Sequence, residues 1–172
     1  MANTFELISS YTATGSVSSI SFTSIPSTFT DLNLVLSLRY SGSDTSSINV
    51  ALNNTTANYS GRAIRGGGSG SAISFSISSN NIGGLATGSS GSSQTANTFA
   101  NNSLYIPNYA STSNKIISVD FVQEANNAAA FMGMYAVQWT DATPISSIYI
   151  TPDSSTNWVQ YSSAYLYGVK NA

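Results

Sequence analysis

Apolar and polar residues alternate with a period of two along most of the chain. In the clearest run, Leu32, Leu34, Leu36 and Leu38 fall on one face of an extended segment, and mostly polar residues fall on the other. Such alternation is typical of a β-strand with one buried face. The same pattern recurs at residues 48–52, 73–77 and 117–121, and shorter apolar runs lie at 5–8, 20–22, 104–106 and 148–150.

Turn-forming residues separate these runs. Gly, Asn, Asp, Ser and Pro cluster at 41–44, 53–54, 66–68, 83–84, 126–127 and 151–153, and no window shows a convincing helical period. We therefore predict an all-β chain that forms a single-domain, jelly-roll-like antiparallel β-sandwich of about eight to ten strands. Residues 1–14 are assigned to an N-terminal arm or first edge strand, and residues 15–172 to the sandwich.

Two late strands are apolar on both faces, which is unusual for a two-layer sandwich whose outer faces meet water. They span residues 131–139 and 161–169. One interpretation is that they are central strands with a few tolerated surface aromatics. The other is that the second face meets another subunit, since Tyr and Met are enriched at interfaces. The candidate interface residues are Phe131, Met132, Met134, Tyr135, Tyr161, Tyr165 and Tyr167.

Composition then removes most kinds of chemistry. Of the 172 residues only 7% are charged, against about 25% in average proteins, while Ser, Thr and Asn make up about 40% of the chain. The absence of His and Cys excludes Ser-His-Asp and Cys-His catalysis and any His- or Cys-ligated metal. A pI near 4.6 with five basic residues argues against a nucleic-acid partner. We predict no metal, no cofactor and no enzymatic activity.

The carboxylates leave one enzymatic alternative open. A glycosidase needs only two carboxyl groups at a suitable separation, and folding can bring distant ones together. Single scattered acids at strand ends are more often turn or edge residues. The seven acids are Glu6, Asp31, Asp44, Asp120, Glu124, Asp141 and Asp153.

Two Gly-rich segments are predicted to be loops. Residues 61–71 place Arg62 and Arg65 beside consecutive glycines, which indicates a mobile hairpin loop or, alternatively, an anion or sugar contact. Residues 87–98 form a low-complexity Gly/Ser loop. Trp158 follows a turn cluster and either plugs one end of the sandwich or offers its ring to a sugar. The candidate surface-recognition residues are Arg62, Arg65 and Trp158.

The N-terminal residues show no secretion signal. They lack both a basic n-region and an apolar h-region, and no run of about 18 apolar residues predicts a membrane span. The composition suits a protein that faces an exterior environment, and the lack of an export signal contrasts with that.

Four strings resemble a group of small β-rich virion proteins of marine and freshwater tailed phages. The strings are SISFTSIPSTFTDLNL (19–34), SLYIPNY (103–109), WTDATPISSIYI (139–150) and QYSSAYLYGV (160–169). The resemblance implies a jelly-roll-type sandwich on the particle surface, often trimeric. A virion protein assembles in the host cytoplasm and leaves by lysis, so it needs no signal peptide.

Two functions follow as expectations. The first is a capsid decoration, or cement, protein: a homo-oligomer, with a trimer favoured, that binds and stabilises the shell of the major capsid protein. The alternative is a tail- or head-fibre module that binds a host-surface glycan through Arg62, Arg65 and Trp158. Neither expectation involves nucleic acid or a membrane.

Overall fold

Twelve β-strands make up the regular structure of the part of the chain that is described. The computed structural model describes residues 4–43, 46–68, 70–78, 86–124, 126, 130–152 and 156–170. The strands are β1 (Phe5–Thr12), β2 (Ile20–Phe22), β3 (Asp31–Leu38), β4 (Ser46–Leu52), β5 (Tyr59–Gly67), β6 (Ile73–Ser78), β7 (Ala86–Ser89), β8 (Ala100–Ile106), β9 (Lys115–Gln123), β10 (Phe131–Trp139), β11 (Ile148–Pro152) and β12 (Ser163–Val169). Within these ranges no helix is long and apolar enough to cross a membrane.

The strands form two antiparallel sheets of unequal size. The larger has eight strands in the order β1-β12-β3-β8-β9-β10-β5-β6, and the smaller has four in the order β2-β11-β4-β7. Without β5, β6, β9 and β10, the remaining eight strands form two four-stranded sheets with the strand order of a jelly roll. The prediction of a single-domain, jelly-roll-like all-β sandwich is therefore confirmed, with twelve strands rather than eight to ten.

The other four strands enlarge one sheet of the jelly roll. We call β9, β10, β5 and β6 the extension, because they continue the larger sheet beyond β8. The smaller sheet has no matching strands, so it faces only part of the larger one. The face of the larger sheet that points away from the smaller sheet is called the outer face below.

The hydrophobic core lies between the sheets. Every second residue of β3 is fully buried, which is what the leucine alternation predicts, and the branched aliphatic residues of β4 and β11 are buried opposite them. Full burial of one such side chain stabilises the fold by about 1.5–3 kcal/mol. The fully buried core residues of these three strands are Leu32, Leu34, Leu36, Leu38, Ile48, Val50, Leu52, Ile148 and Ile150.

Two strands lie where the sequence predicts loops. Residues 59–67 form β5, which pairs with both β10 and β6, so the predicted hairpin loop at 61–71 is wrong for most of its length. A Cβ atom at Gly61 would lie 2.6 Å from the carbonyl oxygen of Ala136 on the adjacent strand. Glycine there permits the close approach of the two backbones rather than marking a turn.

The second is β7, within the predicted low-complexity loop. Ser89 of β7 pairs with Ser46 of β4, and Thr87 pairs with the next residue, Ser47. Gly88 therefore has no partner on β4 and is the extra residue of a β-bulge. Gly88 has a φ of +133°, and a Cβ atom there would lie 2.6 Å from a ring carbon of Phe121. This glycine lets β7 close over the core side of β9.

Replacing Gly88 is expected to destabilise the protein. Gly88→Ala introduces both a strained φ and an overlap with the ring of Phe121, and we expect a loss of about 1–3 kcal/mol in the free energy of unfolding. Urea denaturation followed by tryptophan fluorescence measures the loss. Gly15→Ala is the control, because a Cβ atom at Gly15 meets nothing within 4 Å. Equal stability of the two variants would contradict the bulge constraint.

Candidate functional site

Four exposed apolar side chains lie together on the outer face of the extension. Met132 pairs directly with Val122 of β9, and Met134 pairs directly with Ile64 of β5. Their exposed fractions lie between 49% and 62%. Directly opposed residues of an antiparallel pair share a face and have Cβ atoms about 4.5–5.5 Å apart. Ile64, Val122, Met132 and Met134 are called the outer patch.

One positive and one negative residue lie beside the outer patch. Arg62 is opposite Ala136 on one side of β10, and Asp120 is opposite Met134 on the other side. Both are exposed. Arg62 borders a shallow groove of about 620 Å³ whose lining includes Ile64, Met134 and Ser118. Its guanidinium donates a long hydrogen bond, 3.5 Å, to the carbonyl oxygen of Gly61.

A second cation, Arg39, fixes the segment that follows β7. It is 9% exposed, and its guanidinium donates to the carbonyl oxygens of Gln94 at 3.3 Å, Thr95 at 3.0 Å and Thr98 at 2.9 Å. Charge-assisted bonds to several carbonyl groups hold a loop in one conformation. The segment at 87–98 is therefore strand up to Ser89 and, beyond it, a loop that Arg39 anchors, so the predicted loop is wrong only for its first residues.

The remaining cations also have structural partners. Lys115 is 1% exposed and donates to the carbonyl oxygens of Ser111, at 3.0 Å, and Thr143, at 3.3 Å. Lys170 forms a surface ion pair with Glu6 at 3.0 Å. The guanidinium carbon of Arg65 lies 4.6 Å from the ring centroid of Phe131, a cation–π contact. Among the five basic residues, Arg62 alone has no acid, no ring and no set of carbonyl groups around it within the described structure.

The three predicted recognition residues are not brought together. Arg62 and Arg65 are three residues apart on β5, so they point to opposite faces of the sheet. Trp158 is fully buried, and its indole N–H donates to the carbonyl oxygen of Ile150 at 3.2 Å. A surface role for Trp158 is therefore wrong, and its ring fills the sandwich interior because a large apolar ring gains most from burial.

The predicted interface residues of β10 divide between its two faces. Met132 and Met134 are exposed on the outer face. Tyr135 is 3% exposed on the inner face, where its ring lies 5.6 Å from that of Phe121. Phe131 is half-buried on the same inner face, beside Arg65. Placing Tyr135 at a subunit interface is therefore wrong, because its ring belongs to the core.

The predicted interface tyrosines lie at the other end of the larger sheet. Tyr165 and Tyr167 are half-buried on the outer face of β12, and Leu7 of the edge strand β1 pairs directly with Tyr167. Phe5 and Leu7 are 53% and 52% exposed. Phe5, Leu7, Tyr165 and Tyr167 are called the edge patch. Tyr161 is 67% exposed but precedes β12, in a turn with a φ of +71°.

Three of the described carboxylates accept hydrogen bonds at separate places in the fold. Asp31 accepts hydrogen bonds from the hydroxyl of Tyr105, at 2.5 Å, and the backbone N–H of Asn108, at 2.8 Å. Asp141 and Glu124 each accept from a backbone N–H two residues further along the chain. Within these ranges no three acids lie together in a way that suits a metal ion. Asp44 and Asp153 lie outside the described residues.

The sequence alone did not identify Ile64, Val122 and Asp120 as members of this site. Val122 continues the alternation of β9 but on the polar face, one position beyond Phe121. Ile64 lies in the segment that was predicted to be a loop. An apolar residue on the polar face of a strand is the signal that identifies such positions, although it becomes a patch only once the pairing of β9, β10 and β5 is known.

The chain matches no protein-family model, and no curated protein and no solved structure is significantly similar to it.

Several titratable groups make the stability of the protein depend on pH. Burial raises the pKa of Tyr59 and Tyr109 above the ordinary value of 10.0, and the hydrogen bond to Asp31 raises the pKa of Tyr105. Burial lowers the pKa of Lys115 from its ordinary value. Unfolded tyrosines ionise near pH 10.0 whereas these folded ones stay protonated, so their contribution is complete below that pH and is lost above it. The lowered pKa of Lys115 makes the free energy of unfolding rise with pH, but this is one group, whereas three tyrosines make it fall.

We therefore expect the free energy of unfolding to fall as the pH rises above about 10. Urea denaturation between about pH 8 and 11 measures the change. Tyr59→Phe is expected to be less stable at the lower pH, because the hydroxyl bonds to Leu52 and Thr55 are lost, and to show a shallower fall. A stability that stays constant or rises through this range would contradict the assignment.

Proposed function

We propose that this protein is a structural component of a phage virion, a decoration protein that binds the assembled capsid shell and stabilises it. The observation that carries the proposal is the presence of two separate exposed apolar surfaces, the edge patch and the outer patch, at opposite ends of one sheet. The resemblance of the sequence to virion proteins of aquatic tailed phages supports the same role.

The two patches lie far apart on the larger sheet. The central strands of the two patches, β12 and β10, are four strand positions apart, which corresponds to roughly 19 Å in a sheet. Monomeric proteins rarely expose large contiguous apolar patches, and those that are exposed tend to mark interaction sites. Two such surfaces on one small domain suit a protein that contacts two neighbours at once, as a decoration protein in an oligomer on a shell must.

Low charge supports the same role. Ordering a buried Lys or Arg side chain costs about 1.5–2 kcal/mol in rotamer freedom. Four of the five basic residues here are already held by partners within the fold. Docking therefore orders few additional long side chains.

The edge patch is the surface we assign to the shell. β1 is an outermost strand of the larger sheet, its side chains are mostly exposed, and it presents Phe5 and Leu7 at the rim of the molecule. An exposed edge strand offers both apolar contacts and unpaired backbone groups to a neighbouring chain. Binding to the intact shell and not to dissociated subunits would stabilise the particle by mass action. The outer patch then remains for contacts between protomers of a homo-oligomer.

The attachment test uses purified particles of the encoding phage from which the protein has been stripped. Adding the wild-type protein back is expected to raise the melting temperature of the particles. Phe5→Ser/Leu7→Ser is expected to bind at least about tenfold more weakly, because two apolar side chains lose their burial. Ile116→Ser is the matched control, since Ile116 is 55% exposed on the same face but belongs to neither patch. Particles that melt at one temperature with and without the wild-type protein would refute the decoration role.

A second candidate, glycan binding, is favoured by the groove beside Arg62. The guanidinium there is accompanied by Ser74, Ser76 and Ser118, and hydroxyl and guanidinium groups suit a sugar or a sugar acid. The burial of Trp158 removes the aromatic platform that the sequence suggested. Saturable binding on a glycan array that is lost in Arg62→Ala would favour this role, and an array without binding would count against it.

A further inference from the structure

We propose that the outer patch is a two-fold interface with a second copy of this chain, in which Arg62 of each protomer pairs with Asp120 of the partner subunit. The inference rests on the proposed function, in which the outer patch joins protomers while the edge patch meets the shell. It specifies the occupant of the outer patch and the residues that orient it, and it places a two-fold pair at this contact instead of the trimer favoured from the sequence.

The two charged residues lie on the strands that flank β10. Arg62 is on β5 and Asp120 is on β9, and they are offset by two residues along the strand direction. Two strand spacings and two residue steps separate their Cα atoms by about 12 Å, and the two side chains form no ion pair with each other in the described structure. Both residues are exposed, and the ion pair seen among the described residues is that of Lys170 and Glu6. Among the described residues, Arg62 and Asp120 are therefore one charge of each sign, neither in an ion pair, beside the same apolar patch.

The symmetry follows from this placement. The two-fold axis lies in the plane of the interface. Because the rotation places Arg62 of one protomer opposite Asp120 of the partner subunit, the axis passes midway between these two positions. The midpoint falls on β10 between Ala136 and Met134, because these two residues are the register partners of Arg62 and Asp120. The same operation brings Met134 beside Met134 of the partner subunit. One rotation thus forms two ion pairs around an apolar centre, as an isologous dimer requires.

Charge complementarity argues for a second copy over other occupants. A phosphate-rich partner would meet Asp120 with like charge, and an acidic or a basic surface would pair with only one of the two residues. The patch is complementary to itself, since each charge faces its opposite after the rotation.

A charge-exchange experiment tests the proposal. Arg62→Asp and Asp120→Arg each place two like-charge contacts across the two-fold axis, whereas the double variant restores both pairs with their directions reversed. The double variant has the amino-acid composition and net charge of the wild type, so it controls for general charge effects. Sedimentation equilibrium in the absence of particles measures the dimer dissociation constant. We expect a wild-type dimer, at least about tenfold weaker association in each single variant, and recovery in the double variant.

Each result decides the question. A wild-type protein that stays monomeric up to about 100 μM overturns the inference, and the particle test above then decides the shell-binding role independently. Single variants that dimerise as the wild type does, or a double variant that fails to recover, also overturn the pairing. Circular dichroism confirms that the variants fold. Met134→Asp is a second variant, since it places two carboxylates beside the axis; unchanged dimerisation would overturn the predicted position of the axis.

Discussion

The structure depends on the packing of an eight-stranded sheet against a four-stranded one. Burial between them supplies the core, and the four leucines of β3 lie at its centre with no exposed surface. The jelly roll accounts for four strands on each side, so the extension is the part of the larger sheet that has no counterpart. On the inner face of the extension, the backbone of β7, the last strand of the smaller sheet, packs on Phe121 at Gly88. Arg65 lies over the ring of Phe131 on the same face. Its outer face carries the outer patch. The part of the larger sheet that the jelly roll does not require is thus the part that exposes apolar side chains on its outer face.

The scarcity of charge makes each cation informative. Arg39 and Lys115 take the place of apolar residues in the fold, because carbonyl groups surround their charged ends. Such residues satisfy backbone groups that a Ser- and Thr-rich loop leaves without strand partners. A chain with many surface charges would conceal which of them bind something outside the fold. Among the described residues, Arg62 is the cation with no acid, ring or set of carbonyl groups around it, and it lies beside the outer patch together with the acid Asp120.

The sequence predicts the fold well where apolar alternation is undisturbed. β3, β4, β6 and β9 follow directly from their period of two, and the sandwich class follows from them. β5 and β7 do not, because Gly61 and Gly88 look like turn residues when their reason is close contact with Ala136 and Phe121. The candidate site was predictable only in part for a related reason. Met132 and Met134 stand out in their own strand, but the neighbours that complete the patch depend on pairing between distant segments.

The same low charge explains why one residue pair is enough to orient an interface. Apolar contact is not directional, so the outer patch by itself would allow many relative orientations of two sheets. An ion pair on an otherwise neutral face penalises every orientation that places like charges together or leaves a charge desolvated without a partner. With Arg62 and Asp120 on opposite sides of Met134, two rotated copies satisfy both charges in one arrangement. Additional surface charges would add competing pairings, whereas Ser and Thr keep the face soluble without adding them. In the proposed dimer, the scarcity of surface charge therefore sharpens the geometry of the contact.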